Sequence, residues 1–137
     1  MHNFFSDLAA KPLEASLDKW MSQAANVVVV SFGSMFSSLP VNIATKLFDA
    51  FSKLPQYRFL FRFKQSDSAQ LQVSSNVRLM DWLPQNDALG HNSTVLFITH
   101  SGNNGQQEAF YHGVPMLCFY IHADQANNAK RVVSKGK

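Results

Sequence analysis

Five short segments of the chain concentrate its β-branched, aromatic and other apolar residues. They occupy 27–32, 57–63, 76–80, 95–98 and 116–121, and polar residues, glycine or proline bound each of them. Short apolar runs with such boundaries predict β-strands. The first segment contains four consecutive valines, and an uninterrupted apolar run is typical of a strand buried on both faces of a parallel sheet.

Between these segments the apolar positions follow a helical period. In the stretch 40–54, Ala44, Leu47, Phe48 and Phe51 fall on one helix face. Similar patterns predict further helices, which span 13–25, 85–90, 106–112 and 126–134. Strands that alternate with helices indicate an α/β fold, here a Rossmann-like, doubly wound parallel sheet.

Composition narrows the class of protein. The chain has 137 residues, of which 46% are hydrophobic and 15% charged, as in an ordinary globular domain. The net charge of +3 is not gathered into a dense Lys/Arg run, so no nucleic-acid partner is indicated. A lone cysteine, Cys118, excludes an intrachain disulfide, and no apolar stretch reaches the ~20 residues of a membrane span.

The most informative stretch begins where the fourth predicted strand ends. His100 is followed by a loop containing Gly102, Asn104 and Gly105, and the next helix is predicted from Gln106. A helix amino terminus after a glycine loop favours anions, because its first N–H groups are unpaired and its dipole end is positive. The loop matches neither the dinucleotide pattern G-x-G-x-x-G nor a P-loop.

Polar or aromatic residues also follow the other predicted strands. These are Ser31, Gly33 and Ser34 after the first, Trp82 and Gln85 after the third, and Asp124 and Gln125 after the fifth. In a doubly wound sheet such strand ends line one crevice. Each feature alone has a structural alternative: a strand-to-helix turn for the first group, core packing for the tryptophan, and a satisfied structural role for the histidine.

Four motifs resemble the UDP-glycosyltransferases, the family that includes the animal UDP-glucuronosyltransferases. They are THSGNNGQQEAFYHGVPM at 99–116 with ADQ at 123–125, DWLPQNDALGH at 81–91, SFGSM at 31–35 and KPL at 11–13. They occur in family order and at family-like spacing over nearly the whole chain. The resemblance implies the C-terminal, donor-binding half of a GT-B fold, with residues 1–13 as the remnant of an interdomain linker.

The resemblance also implies a role for each site residue. The loop of Ser31, Gly33 and Ser34 would touch the diphosphate, Trp82 would stack on uracil, and Gln85 would pair with uracil or ribose. The diphosphate would further contact His100, Gly102, Asn104 and Gly105. Glu108 would bind ribose, and Asp124 with Gln125 would bind the sugar. Tyr120 stands where relatives usually have proline, which leaves the placement of the last pair open.

The implied reaction is metal-independent, inverting transfer of a hexosyl group from a UDP-sugar to a small lipophilic acceptor. The chain has no Asp-x-Asp pair for a metal, and no cofactor is expected, since the UDP-sugar is the donor substrate. His100 would stabilise the leaving diphosphate. The catalytic base, a histidine oriented by an aspartate, would lie in an N-terminal acceptor-binding domain that this chain lacks, so we expect the chain alone to be inactive.

Two alternatives remain open from the sequence. The chain could be a non-catalytic nucleotide-sugar-binding subunit that needs a separate acceptor-binding partner, or a degenerate fragment that binds nothing. The resemblance places the parent protein in the endoplasmic reticulum membrane, on the lumenal side, although this chain shows no signal or anchor. Asn92-Ser93-Thr94 fits the N-glycosylation pattern, which would matter only in a secretory lumen.

Overall fold

The computed structural model describes residues 7–33, 40–69 and 71–119. Helices and strands alternate through these ranges. In chain order they are α1 (Ala15–Ser22), β1 (Val27–Ser31), α2 (Val41–Ser52), β2 (Arg58–Arg62), a 3₁₀ helix (Gln65–Ser68), β3 (Val77–Met80), α3 (Gln85–Leu89), β4 (Thr94–Thr99), α4 (Asn103–His112) and β5 (Met116–Cys118). No helix within the described ranges combines the length and the apolar character that crossing a membrane requires.

The five strands form one parallel sheet in the order β3-β2-β1-β4-β5. The chain moves outward from β1 to β3, then crosses back so that β4 lies on the other side of β1. This reversal defines a doubly wound sheet, which confirms the predicted fold class. The four valines of β1 occupy the centre of the sheet and are at most 2% exposed.

Helices cover both faces of the sheet, and alternate residues of β1 contribute to two separate cores. On one face α2 packs through a cluster of aromatic rings, in which Phe51 and Phe59 stack with centroids 4.0 Å apart. On the other face α1, α3 and α4 enclose a mainly aliphatic core that includes Met21 and Phe97, both fully buried. The two cores fix the strand ends that carry the polar loops.

Most predicted boundaries agree with the structure to within two residues, but three do not. The first helix is shorter than predicted and ends at Ser22. Helix α4 begins at Asn103 rather than Gln106, because Gly102 adopts an extended conformation and caps the helix three residues earlier. The last strand is assigned only as far as Cys118, and the helix predicted at 126–134 lies outside the described residues.

The described part of the amino-terminal segment is packed against α3. The side-chain amide of Asn86 donates a hydrogen bond to the Leu8 carbonyl over 3.1 Å, and the Lys11 backbone N–H donates to Asp87 over 2.9 Å. Leu8 is itself buried. The interpretation of residues 1–13 as an interdomain linker stays a prediction, and these contacts attach the segment firmly to the domain.

Candidate functional site

The candidate site lies at the carboxyl ends of β1 and β4, where the strand order reverses. These two strands are neighbours, and Ser31 pairs in register with Thr99. Beyond these residues β1 continues into the loop at Gly33, and β4 continues into the loop from His100 to Gly102. Because a doubly wound sheet opens a crevice at this reversal, both loops border the position where ligands bind in such folds.

His100 fits between two glycines at this crevice. A Cβ atom on Gly33 would lie 2.7 Å from the imidazole Cε1, and a Cβ atom on Gly102 would lie 2.6 Å from Nε2. Gly33 also has a positive φ of 85°, a conformation that disfavours residues with side chains. Both glycines are therefore needed for the imidazole to occupy this position, and the histidine joins the two loops into one surface.

The imidazole of His100 is partly removed from water. Burial lowers its pKa below the ordinary value, and a hydrogen bond to the Ser31 backbone acts in the opposite direction. A neutral imidazole has one N–H group, and the hydrogen bond to the Ser31 backbone uses it, so a contact to an anion requires the second N–H of the protonated ring. A bound anion would favour the protonated form.

The loop that leads into α4 is held by its own interior contacts. Ser101 is fully buried and has a positive φ of 69°, which is uncommon for a residue other than glycine. The Gln106 side-chain amide donates to the Ser101 carbonyl over 2.8 Å. Because α4 begins at Asn103, Asn104 and Gly105 lie in its first turn, where backbone N–H groups have no acceptor inside the helix.

A second polar group lies between α3 and α4. The Gln85 amide donates to Glu108 over 2.9 Å. Gly105 lies close to this pair: a Cβ atom there would be tight against the Phe97 ring at 3.2 Å, and in ordinary contact with Gln85 Nε2 at 3.4 Å. Burial raises the pKa of the Glu108 carboxyl, which the Gln85 hydrogen bond partly offsets and the nearby Asp87 charge reinforces. The carboxylate is thus oriented and poorly hydrated, and it keeps acceptor capacity for a hydroxyl-bearing ligand.

Trp82 presents an open aromatic surface at the same edge of the sheet. Its side chain is 69% exposed, although its neighbour Leu83 is only 5% exposed and belongs to the core. On the other side, Asp81 accepts a hydrogen bond from the Gln65 backbone over 2.7 Å. The residues around the indole are therefore fixed while the indole remains free to stack. This exposure disagrees with the packing alternative.

The other predicted site residues are placed differently or lie outside the described ranges. Ser31 is 1% exposed, and its hydroxyl accepts a long hydrogen bond of 3.5 Å from the Gly33 N–H, so its side chain shapes the turn. Ser34, Asp124 and Gln125 lie outside the described residues. The described part of the site thus includes the residues predicted to contact uracil, ribose and, except for Ser34, the diphosphate, but not those predicted to contact the sugar.

Two residues at the carboxyl ends of the strands have environments that the sequence does not predict. The sequence predicts Gln106 only as the start of a helix, yet it is 1% exposed and its side chain supports the Ser101 turn. Arg62 ends β2 beside Met80 of β3, and its Nε is buried with no hydrogen-bond partner in the described part of the chain. For Gln106, the available sequence signal is a polar residue in the first turn of a helix, directly after the glycine loop. For Arg62, the spacing within its strand predicts a solvated strand end, whereas its Nε atom is buried.

Among the described residues, no group of three or more His, Cys, Asp and Glu side chains is arranged to hold a metal ion. The groups at the crevice that could favour an anion are the α4 amino terminus, the loop backbone and His100. The absence of a metal requirement stays a prediction.

Comparison with known proteins relates this geometry to a family. The sequence pattern of the family described as "UDP-glucoronosyl and UDP-glucosyl transferase" matches residues 2–137. The chain belongs to this family. It is 41% identical over 130 residues to UDP-glucuronosyltransferase 3A1 of Xenopus laevis, and 43% identical over 129 residues to UDP-glucuronosyltransferase 2A1 of Rattus norvegicus. These alignments cover 92% and 93% of the chain but only 25% and 24% of the relatives.

Solved structures agree with this assignment. A UDP-glucose: anthocyanidin 3-O-glucosyltransferase in complex with UDP superposes with a TM-score of 0.77 at 25% identity, over 89% of this chain and 29% of that one. A UDP-glucosyltransferase from Polygonum tinctorium gives a TM-score of 0.71 at 30% identity, over 86% of this chain and 29% of that one. The structural neighbours are GT-B glycosyltransferases, so the α/β Rossmann-like fold predicted for one half of such an enzyme is confirmed.

Proposed function

We propose that this chain binds the UDP-sugar donor of a UDP-glycosyltransferase and holds the leaving diphosphate during transfer. The observation that carries the proposal is the His100 imidazole wedged between Gly33 and Gly102 beside the amino terminus of α4. In this arrangement the imidazole N–H, the first-turn N–H groups and the helix dipole all favour an anion at one place.

In this proposal, each part of UDP contacts a different group of the described residues. The exposed Trp82 indole offers a stacking surface for uracil. Glu108, oriented by Gln85, accepts hydrogen bonds from ribose hydroxyls. The diphosphate lies at His100 and the first turn of α4, with the Arg62 cation at the same edge of the sheet. Asp124 and Gln125 are proposed for the sugar on the resemblance of their motif alone.

During transfer, the task of this site is to stabilise the leaving diphosphate. When the bond between the anomeric carbon and the diphosphate breaks, negative charge grows on the leaving oxygen. Donors already positioned at that oxygen stabilise the transition state without rearranging, and we assign this role to His100. We propose that transfer is metal-independent and inverts the anomeric centre, with a small lipophilic hydroxyl compound as acceptor.

The remaining parts of the reaction are proposed to lie outside this chain, which spans about a quarter of the length of the curated relatives it matches. The base that deprotonates the acceptor belongs, in this proposal, to an N-terminal acceptor-binding domain. The chain alone then binds donor but does not transfer, and measurable glycosylation of an acceptor by the purified chain would contradict this. The parent protein is proposed to function at the lumenal side of the endoplasmic reticulum membrane.

Calorimetric titration with uridine, UMP and UDP tests the diphosphate site. We expect affinity to rise with each phosphate. His100→Ala should lower the affinity for UDP roughly tenfold, as expected for the loss of one hydrogen bond to a charged group. His112→Ala is the matched control, because His112 is a half-buried imidazole at the other end of α4, where it bonds Asn86. Equal losses in both variants, or no gain from phosphate, would refute the assignment.

A further inference from the structure

The turn between α3 and β4 contains the sequence Asn92-Ser93-Thr94, which is the only Asn-x-Ser/Thr pattern in the chain. His91, Ser93 and Thr94 are half-buried in this turn, whereas Asn92 is exposed. The His91 Nε2 atom lies 2.9 Å from the Asp18 carboxylate, and His91 Nδ1 accepts from the Ser93 N–H over 3.0 Å. These bonds stabilise the turn without using the asparagine.

Thr94 and Asn92 have opposite environments in this turn. The Thr94 hydroxyl donates to the Ala88 carbonyl over 2.6 Å. Asn92 is exposed, and within the described ranges its carboxamide makes no hydrogen bond. The structure therefore presents one exposed asparagine side chain on a hydrogen-bonded turn, with the hydroxyl residue of the pattern two positions later.

The position of Asn92 is remote from the nucleotide crevice. The Ser93 carbonyl accepts from the Val27 N–H over 2.8 Å, which places the turn at the amino-terminal edge of the sheet. His100 follows the opposite end of β4, and a strand of six residues spans about 20 Å at ~3.3 Å per residue. A large group attached to Asn92 would leave the crevice open.

The surface beside Asn92 also has room for a sugar. A cleft of about 530 Å³ is bordered by Asn92 together with Lys11, Asp18, Ser22 and Asp87. Carboxylates, a hydroxyl and an ammonium group are suitable partners for sugar hydroxyls. The first sugar of an attached glycan could therefore contact protein rather than project wholly into water.

We propose that Asn92 is an acceptor for N-linked glycosylation. The proposal rests on the lumenal location given under the proposed function. The donor is a lipid-diphosphate-linked oligosaccharide. The Asn92 amide nitrogen forms a bond to the anomeric carbon and loses a proton, while the bond from that carbon to the diphosphate breaks and the lipid diphosphate leaves with the electron pair. Because the folded turn already uses the Thr94 hydroxyl, transfer precedes closure of the turn.

The test translates the full chain behind a cleavable secretion signal in the presence of microsomes, so that its outcome does not depend on where the natural protein resides. We expect one glycan, removed by peptide N-glycosidase with conversion of Asn92 to aspartate, which intact-mass and peptide spectra detect. Asn92→Gln and Thr94→Ala should abolish it, whereas Thr94→Ser should retain it. Asn42→Gln is the matched control, since Asn42 is exposed but lies outside the pattern.

Two results would overturn the inference. One is an unmodified wild-type chain under conditions in which a control sequon is occupied. The other is a glycan that persists in Asn92→Gln. Failure of the proposed function can be told apart from failure of this inference, because UDP binding is measured separately on the unglycosylated chain. If glycosylated chain binds UDP less tightly than enzymatically deglycosylated chain, the claimed separation of the two sites is wrong.

Discussion

Replacing Gly102 by alanine perturbs the anion site through one identifiable contact. Gly102 has φ −65° and ψ 150°, which alanine adopts without strain. The added Cβ atom would lie 2.6 Å from His100 Nε2, whereas ordinary contacts begin near 3.4 Å. The imidazole must therefore move by about 0.8 Å, and because Gly33 also flanks the ring, we expect it to rotate out of its position between the two loops.

The expected magnitude follows from the hydrogen bond that this rotation breaks. A hydrogen bond to a charged group is worth about 1.5–3 kcal/mol, which corresponds to roughly a 10- to 100-fold loss in affinity. Gly102 also caps α4, and alanine is a poorer cap by about 0.5–1 kcal/mol. That second effect lowers the free energy of unfolding, but it does not act on the phosphate contact.

A double-mutant cycle separates the two effects. UDP affinity is measured calorimetrically for the wild type, Gly102→Ala, His100→Ala and the double variant, with the folded fraction checked by circular dichroism. Once the imidazole is absent, the new methyl group has nothing to displace, so we expect Gly102→Ala to reduce affinity less than about twofold in the His100→Ala background. Strong non-additivity of this kind is the signature of residues in contact.

The result that would refute the reasoning is additivity. If Gly102→Ala lowers UDP affinity equally with and without the imidazole, its effect comes from the cap or the backbone, and His100 is not the group that the glycines position. An unchanged affinity in Gly102→Ala, with the chain folded, would likewise remove the histidine from the diphosphate contact.

Three further predictions follow from the structure. Burial raises the pKa of Glu108 above its ordinary value, so ionisation of this carboxyl destabilises the fold as pH rises through that pKa. Glu108→Gln should therefore raise Tm at pH 7 but not near pH 4. The same variant should weaken UDP binding. Burial lowers the pKa of His100 and a bound diphosphate raises it, so calorimetry in buffers of different ionisation enthalpy should show proton uptake and tighter UDP binding as pH falls from 8 toward 6. A Cβ atom on Gly90 would lie 2.5 Å from the Ala10 Cβ and 2.9 Å from His112 Cε1. Gly90→Ala should therefore lower the free energy of unfolding by about 1–3 kcal/mol in urea titrations. Unchanged stability would contradict the packing of the amino-terminal segment on α3.

The strands and the position of the crevice were predictable because their signals are local. Four consecutive valines indicate a central parallel strand, and a glycine loop between an apolar run and a helix indicates a strand end with an anion site. The order of motifs then indicated which loops converge. The structure confirms the sheet, and the His100 and Gly33 loops do meet at its reversal.

Other features depend on contacts that sequence spacing does not encode. Gln85 and Glu108 are separated by 23 positions, and only the packing of α3 on α4 brings them together. The start of α4 was placed too late because the asparagines after Gly102 have weak helix propensity, whereas the buried Gln106 bond stabilises the turn. The wedge of His100 between two glycines likewise required the relative position of two loops.

The most direct test of the central claim is calorimetric titration of UDP into the chain in EDTA, for the wild type, Trp82→Ala and the control Trp20→Phe. Trp20 packs beneath the Arg58 guanidinium on α1, away from the crevice. Stacking on a base is worth about 1–3 kcal/mol, so the account predicts metal-free binding that falls roughly tenfold or more in Trp82→Ala and is unchanged in Trp20→Phe. No binding by a folded wild-type chain, or equal binding by all three proteins, would contradict it.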